Sequence, residues 1–227
     1  MSRTFVIGDV HGCARELDRL LDRCELGRGD RVVLVGDLVN KGPDSLTVIR
    51  RCLEIGAEAV LGNHDDLLLR CIAARRRDDD DDFPEPVRKL ARKLKDEEIG
   101  WLSELPLFLR LPAHGVLVVH AGLRPGLAPE HEERANLLTM RSIRADGSGS
   151  KRIDEGAPWA SLRTGPEHIL FGHDAVRGLQ EWPFATGLDT GCVYGRQLTA
   201  MLLPGRRLVS VPAKKAYADA GRGDKRR

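Results

Sequence analysis

The sequence predicts an α/β domain built on two packed mixed β-sheets flanked by helices. Three observations predict it. The first third alternates short apolar runs with helical stripes, the second half is rich in short β-branched runs, and five of the apolar runs end abruptly in glycine, aspartate, asparagine or histidine. Strands separated by helix-length segments imply crossovers and parallel pairing. Apolar runs separated by tight turns imply hairpins.

Taken in order, TFVI (4–7) is an apolar run stopped by Gly8, a strand signal. In CARELDRLLDRCEL (13–26), Leu17, Leu20, Leu21 and Cys24 recur at the spacing of one helix face. RVVLV (31–35) is a second strand. SLTVIRRCLEIG (45–56) offers Ser45 as N-cap, a stripe through Leu46, Ile49 and Leu53, and Gly56 as a stop. EAVL (58–61) reads as a third strand and DDLLLRCIAARRR (65–77) as a helix. Three arginines, five aspartates and two prolines in RRRDDDDDFPEP (75–86) predict a solvated loop, after which residues 87–105 return to helix. LFLRL and VLVVH flank the turn PAHG (112–115) as a hairpin, and HILF (168–171), ATGLD (185–189), LTAMLL (198–203) and RLVSV (207–211) supply further strands.

At 227 residues the chain can bury a sizeable core, and one domain is expected. The boundaries predicted are a catalytic domain over 1–212 and a basic, flexible tail over 213–227. No apolar run approaches the roughly 20 residues of a membrane span, and the amino-terminal segment runs into a strand with no secretory core, so a cytoplasmic location is expected. The five cysteines are odd in number and form no CxxC pair, which predicts reduced, buried thiols and neither a zinc ribbon nor a disulfide framework. Net charge is +2, and six basic residues against two acids from Lys214 onward leave the rest slightly acidic. No stable nucleic-acid partner is written into the globular part.

The polar residues at strand ends carry the chemistry. FVIGDVHG, VVLVGDLVN, EAVLGNHDD, VLVVHAG and HILFGHD deliver Asp9, His11, Asp37, Asn63, His64, His120 and His173. In α/β sheets ligands bind beyond the carboxyl ends of strands. Carboxylates, imidazoles and a carboxamide without thiolate suit manganese, iron, cobalt or zinc. The other histidines, His114, His131 and His168, need only surface or core roles.

This ordered set resembles the phosphoprotein phosphatase family of calcineurin-like dimetal phosphoesterases. GDLVNKGPDS, VHAGL, FGHDA and LDTGCVYGRQLTA are similar to the bacterial symmetrical diadenosine-tetraphosphatase-like branch, and the likeness runs from about residue 4 to residue 212. The resemblance implies that Asp9 and His11 hold one divalent ion, Asp37 bridges, and Asn63, His120 and His173 complete the second, with manganese first and iron, cobalt or zinc as alternatives. A bridging hydroxide would attack phosphorus while both ions clamp the phosphoryl oxygens. His64 would protonate the leaving group. Many relatives read Asp-Arg where this chain has Asn40-Lys41. Asn40 can orient His64 but brings no charge, a role Asp65 could share. Lys41 attracts a phosphate oxygen without a bidentate grip. Phosphate binding would then lean on Asn63 and Arg141, with Arg124 and Arg163 as weaker candidates. Ala175 stands where nucleases of the superfamily carry a second histidine, which argues against a nuclease.

The function expected is hydrolysis of phosphate esters or phosphoanhydrides, first of all symmetrical cleavage of dinucleoside polyphosphates. A protein serine/threonine or broad-specificity phosphatase and a polyphosphatase are the alternatives, so the substrate is a phosphorylated small molecule or phosphoprotein. A non-catalytic metal-binding scaffold is the alternative of another class, and loss of a ligand would mark it. Trp159, Trp182 and Tyr194 are isolated and read as core residues rather than as a base-stacking platform.

Overall fold

The computed structural model describes residues 3–219. Strand and helix alternate at first: β1 (Thr4–Ile7), α1 (Ala14–Arg23), β2 (Arg31–Leu34), α2 (Ser45–Glu54) and β3 (Glu58–Ala59). Three helices follow, α3 (Asn63–Arg75), α4 (Glu85–Ala91) and α5 (Asp96–Ser103). The second half holds β4 (Phe108–Leu111), β5 (Val116–Val119), α6 (Arg134–Thr139), β6 (Ser142–Ile143), β7 (Gly149–Ser150) and β8 (Ala157–Pro158). It ends with β9 (His168–Phe171), β10 (Gln180–Trp182), β11 (Ala185–Gly187), β12 (Gln197–Leu203) and β13 (Arg207–Pro212).

Two five-stranded sheets result, ordered β13-β12-β1-β2-β3 and β10-β11-β9-β5-β4, with β7-β6-β8 as a small third sheet. Both large sheets are mixed: β1, β2 and β3 run parallel in one, with the antiparallel pair β12 and β13 on one side, and β5, β9 and β11 run parallel in the other, between antiparallel β4 and β10. Alternation along the strands explains the layers. Phe5, Ile7, Val32 and Leu34 face the helices, while Val6, Val33 and Val35 turn inward to meet Val116, Val118 and Leu170 of the second sheet. On the outer face of that sheet Leu117, Val119, Ile169 and Phe171 surround Trp159, whose ring meets Phe171 edge-on at 4.7 Å between centroids. Each large side chain buried this way contributes about 1.5–3 kcal/mol.

Four local expectations are corrected. The N-cap of α2 is Asp44, whose Oδ1 accepts the Thr47 N–H at 3.0 Å; Ser45 Oγ instead accepts the Asn40 N–H at 2.9 Å and pins the preceding loop. The buried face of α2 runs through Val48, Ile49 and Cys52, with Leu46 and Leu53 only half-buried. Helix over 87–105 breaks before α5, because Asp96, Glu97 and Glu98 favour a fresh N-terminus and Glu98 accepts the Lys95 N–H at 2.6 Å. Packing also continues past residue 212. The Lys214 N–H and the Tyr217 hydroxyl both donate to Glu16 Oε1 at 2.9 Å, and Ala216 bridges Tyr194. The rest of the tail lies outside the described residues.

Candidate metal centre

All six parallel strands end at one edge of the sandwich and deliver the site. Asp9 and His11 follow β1, Asp37 follows β2, Asn63 and His64 follow β3, His120 follows β5, His173 follows β9, and Asp189 follows β11. Turning this sharply forces unusual backbone. His11, Asp37, Asn40, Lys41 and His173 all adopt positive φ, between 45° and 68°. Each such residue costs on the order of 1–2 kcal/mol, strain that is commonly concentrated at working sites. Glycine is required at Gly62, where a Cβ would lie 2.1 Å from the Asp37 nitrogen, and at Gly172, where it would lie 2.0 Å from Asp9 Oδ1.

Asp37 is the centre of the arrangement. Its Oδ2 lies 3.5 Å from His11 Nε2 and its Oδ1 lies 3.5 Å from His120 Nε2. Asn63 Oδ1 lies 3.0 Å from His120 Nε2 and 2.9 Å from His173 Nδ1. Donor atoms of Asp37, His120 and His173 fall within 4.8 Å of one another, as do those of His11, Asp37 and His64. Asp9 stands against the second half of the centre, both oxygens accepting the His173 N–H at 3.2 and 3.1 Å, so His64 rather than Asp9 closes the first triangle.

These residues fit a pair of cations. The outer nitrogen of each ring meets a main-chain carbonyl: His11 Nδ1 on Val39 at 3.1 Å, His120 Nδ1 on Val35 at 2.8 Å, and His173 Nε2 on Thr139 at 3.1 Å. Such partners fix the tautomer of a ligating histidine. Burial pushes His11 and His173 well below the ordinary imidazole value and His120 below it, so the rings are neutral and their inner nitrogens present lone pairs. Those lone pairs face oxygens. Turning the Asn63 amide over would relieve two of the contacts, and Lys41 Nζ lies 3.3 Å from His11 Nε2, but both imidazole nitrogens still stand 3.5 Å from the Asp37 carboxylate. Burial alone would raise the Asp37 carboxyl, but His120, His64, His11 and Lys41 outweigh it and hold Asp37 ionised. Cations between these atoms would be held by the same oxygens and ring nitrogens.

The remaining candidates divide. Asn40 sits on His64, its Nδ2 donating to the His64 carbonyl at 3.1 Å and lying 3.5 Å from Nδ1. Asp65 is held by main-chain N–H groups. Fully buried, it accepts the N–H groups of Asp37 (2.8 Å), Leu38 (3.0 Å) and Gly62 (3.1 Å), tying the β2 loop to the start of α3. Lys41 and Arg141 line the same cavity of about 190 Å³ as His11, Asp37, Asn63 and His64. Arg141 is fixed there by the carbonyls of His173 (3.2 Å) and Lys151 (3.1 Å). Arg124 is elsewhere, its N–H and Nε spent on Glu132 at 2.7 and 2.9 Å, and Arg163 is buried outside the cavity. Thr139 and three further residues line the cavity that the sequence pattern did not mark as functional. Tyr194, expected in the core, accepts from Lys41 Nζ through its hydroxyl oxygen (2.9 Å) and lies beneath the ammonium. Lys151 adds a cation, and Asp189 is a buried carboxylate whose pKa burial raises to about 6. The strand-end position of Asp189 in ATGLD was the signal for it.

A sandwich with this edge defines a class, and the chain belongs to it: residues 2–204 match the calcineurin-like phosphoesterase family. It is therefore a metallophosphoesterase, a hydrolase of a family that works with two metal ions. The chain is 33% identical to the symmetrical bis(5'-nucleosyl)-tetraphosphatase of Aromatoleum aromaticum, over 93% of this chain and 97% of that one. It is 30% identical to the asymmetrical bis(5'-nucleosyl)-tetraphosphatase PrpE of Halalkalibacterium halodurans, over 92% and 94%. A crystal structure provisionally assigned as a diadenosine tetraphosphatase superposes with a TM-score of 0.85 at 41% identity, covering 93% of this chain and 94% of that one.

Proposed function

We propose that this chain hydrolyses dinucleoside polyphosphates and divides a tetraphosphate bridge symmetrically, with manganese as the first-choice ion. The observation that carries the reading is the cavity itself. Lys41, Lys151 and Arg141 line it together with Asp37, His11, Asn63 and His173, so cationic side chains stand beside the ligand cluster in a space sized for a phosphoryl group. Likeness to tetraphosphatases over nearly the whole chain supports the substrate class.

Asp37 would be shared between the ions, with His11 on one side and Asn63, His120 and His173 on the other; Asp9 would join through its carboxylate. Bound there, two divalent cations supply Lewis acidity and activated water for in-line displacement. Lys41 Nζ and the second N–H of each Arg141 terminal nitrogen orient the non-bridging phosphate oxygens. Tyr194 positions Lys41. Burial alone would lower the Lys41 pKa, but Asp37 and then Tyr194 outweigh it, so the ammonium stays charged. His64 passes a proton from Nε2 to the departing oxygen while Asn40 holds the ring from the Nδ1 side. The cavity takes phosphate rather than base, so the nucleosides lie outside it.

Product analysis with manganese and diadenosine tetraphosphate tests the proposal. Two molecules of ADP are expected. ATP with AMP would transfer the reading to the asymmetrical reaction, and turnover of a phosphopeptide or polyphosphate above that of the dinucleotide would overturn the substrate.

A further inference from the structure

Behind the metal centre lies a second group of ligating side chains that the phosphoesterase reading does not use. Cys13 caps the start of α1, Glu16 sits one turn into it, and Cys192 lies in the loop between β11 and β12. All three are buried, and one donor atom from each falls within 4.8 Å of the others. Both thiols are free. Glu16 Oε1 is occupied by the Lys214 N–H and the Tyr217 hydroxyl, but Oε2 is buried with no hydrogen-bond partner among the described residues. A carboxylate oxygen stranded in this way is expensive. Fixing Oε1 on the tail side also fixes the carboxylate's orientation.

We propose that Cys13, Cys192 and Glu16 form a third metal site, selective for a thiophilic divalent ion such as zinc. Two sulfurs and one oxygen are a softer set than the His, Asp and Asn donors of the catalytic centre, so the two places discriminate between ions. The dimensions suit it. With Zn–S near 2.3 Å, the sulfurs of a tetrahedral site stand about 3.8 Å apart, so the present triangle needs to contract by about 1 Å at most. A cavity of about 410 Å³ lined by Glu16, Asp44 and Tyr217 reaches the carboxylate, and water from it takes the fourth position. The ion would clamp together α1, the loop that carries Tyr194, and the segment 214–217 that already rests on Glu16. This proposal does not depend on which phosphate compound the enzyme cleaves.

Cobalt(II) distinguishes the two kinds of site, because only thiolate ligation gives sulfur-to-cobalt charge-transfer absorption in the near ultraviolet. Titration of the reduced full chain is expected to develop that band and to saturate with one equivalent beyond the two of the catalytic centre. Cys192→Ser should lose the band and the third equivalent while keeping manganese-dependent release of p-nitrophenol from its phosphate ester. Glu16→Gln alters no thiol and guards against a misfolded serine variant; it should keep the band but bind the third equivalent about tenfold more weakly or worse. Absence of the band in the reduced wild-type chain, its persistence undiminished in Cys192→Ser, or unchanged affinity in Glu16→Gln would each overturn the proposal.

Discussion

The two large sheets reach the same edge in different ways. The first returns through helices after each of its parallel strands β1, β2 and β3, whose ends carry oxygen ligands, His11 and the acid candidate His64. The second has short strands and irregular connections, and its ends carry His120, His173 and Asp189. Strain is divided unequally too: His11, Asp37, Asn40 and Lys41 are the left-handed residues on the first side, and His173 is the one on the second. Helical crossovers bring a helix N-terminus to the site, so the His64 N–H donates to Asp37 Oδ1 at 2.8 Å. In the proposed mechanism the turn into α3 places the group that acts, while the second sheet supplies two of the three imidazoles held against main-chain carbonyls. On that proposal one sheet reacts and the other grips.

The strongest way to break this division is Asp37→Ala, because Asp37 serves both sides. Turnover is expected to fall below detection, with fewer than two equivalents of metal retained by elemental analysis. Full activity in that variant would end the account.

Next come paired changes on opposite sheets. His64→Gln should lower kcat on a dinucleotide by about 10²–10⁴-fold with metal content unchanged, and far less on p-nitrophenyl phosphate, whose leaving group needs no proton. His120→Gln should instead lose metal. If both variants lost metal alike, His64 would be a ligand and the contrast would fail.

Lys41→Ala should reduce kcat/KM by about tenfold to a hundredfold, the worth of one charged hydrogen bond, with Lys41→Arg recovering part of the loss. Asn40→Asp adds a negative charge beside His64, so the high-pH limb of its rate profile should move upward; an unmoved limb would remove Asn40 from the acid's control.

The smallest effect lies at the far end of the second sheet. His168, bonded to Thr186 at 2.9 Å, has its pKa lowered from 6.5 to about 4 by burial and then by Arg206. Because the unfolded chain binds the proton more readily, stability should decline as pH falls from about 6.5 to about 4 and then cease to depend on this group. Urea midpoints of wild type and His168→Gln should converge across that window.

The strand ends were legible in the sequence because local chemistry announces them: an apolar run, then glycine, then a ligand. The layer alternation through residues 4–7 and 31–35 was equally plain. What was missed depends on contacts far along the chain. The two-residue strands β6, β7 and β8 carry too few residues for any period to show. Tyr194 reaches the cavity only because its loop folds back to Lys41, 153 positions away. Arg124 looked available in isolation, and only the fold reveals Glu132 beside it. Asp44 and Ser45 are adjacent polar residues of similar capping strength, and the neighbouring Asn40 loop decides between them.

His120 belongs to the second sheet, yet its Nδ1 meets the carbonyl of Val35 on the first, while the His173 N–H crosses the same seam to Asp9. The sandwich is stitched shut along the very border where substrate must land. It therefore cannot gape like a book to admit a bulky nucleotide. Accommodation of different leaving groups falls to the rim, and redesign for a new substrate should begin with the loops around Lys41, Lys151 and Tyr194 and leave the spine alone.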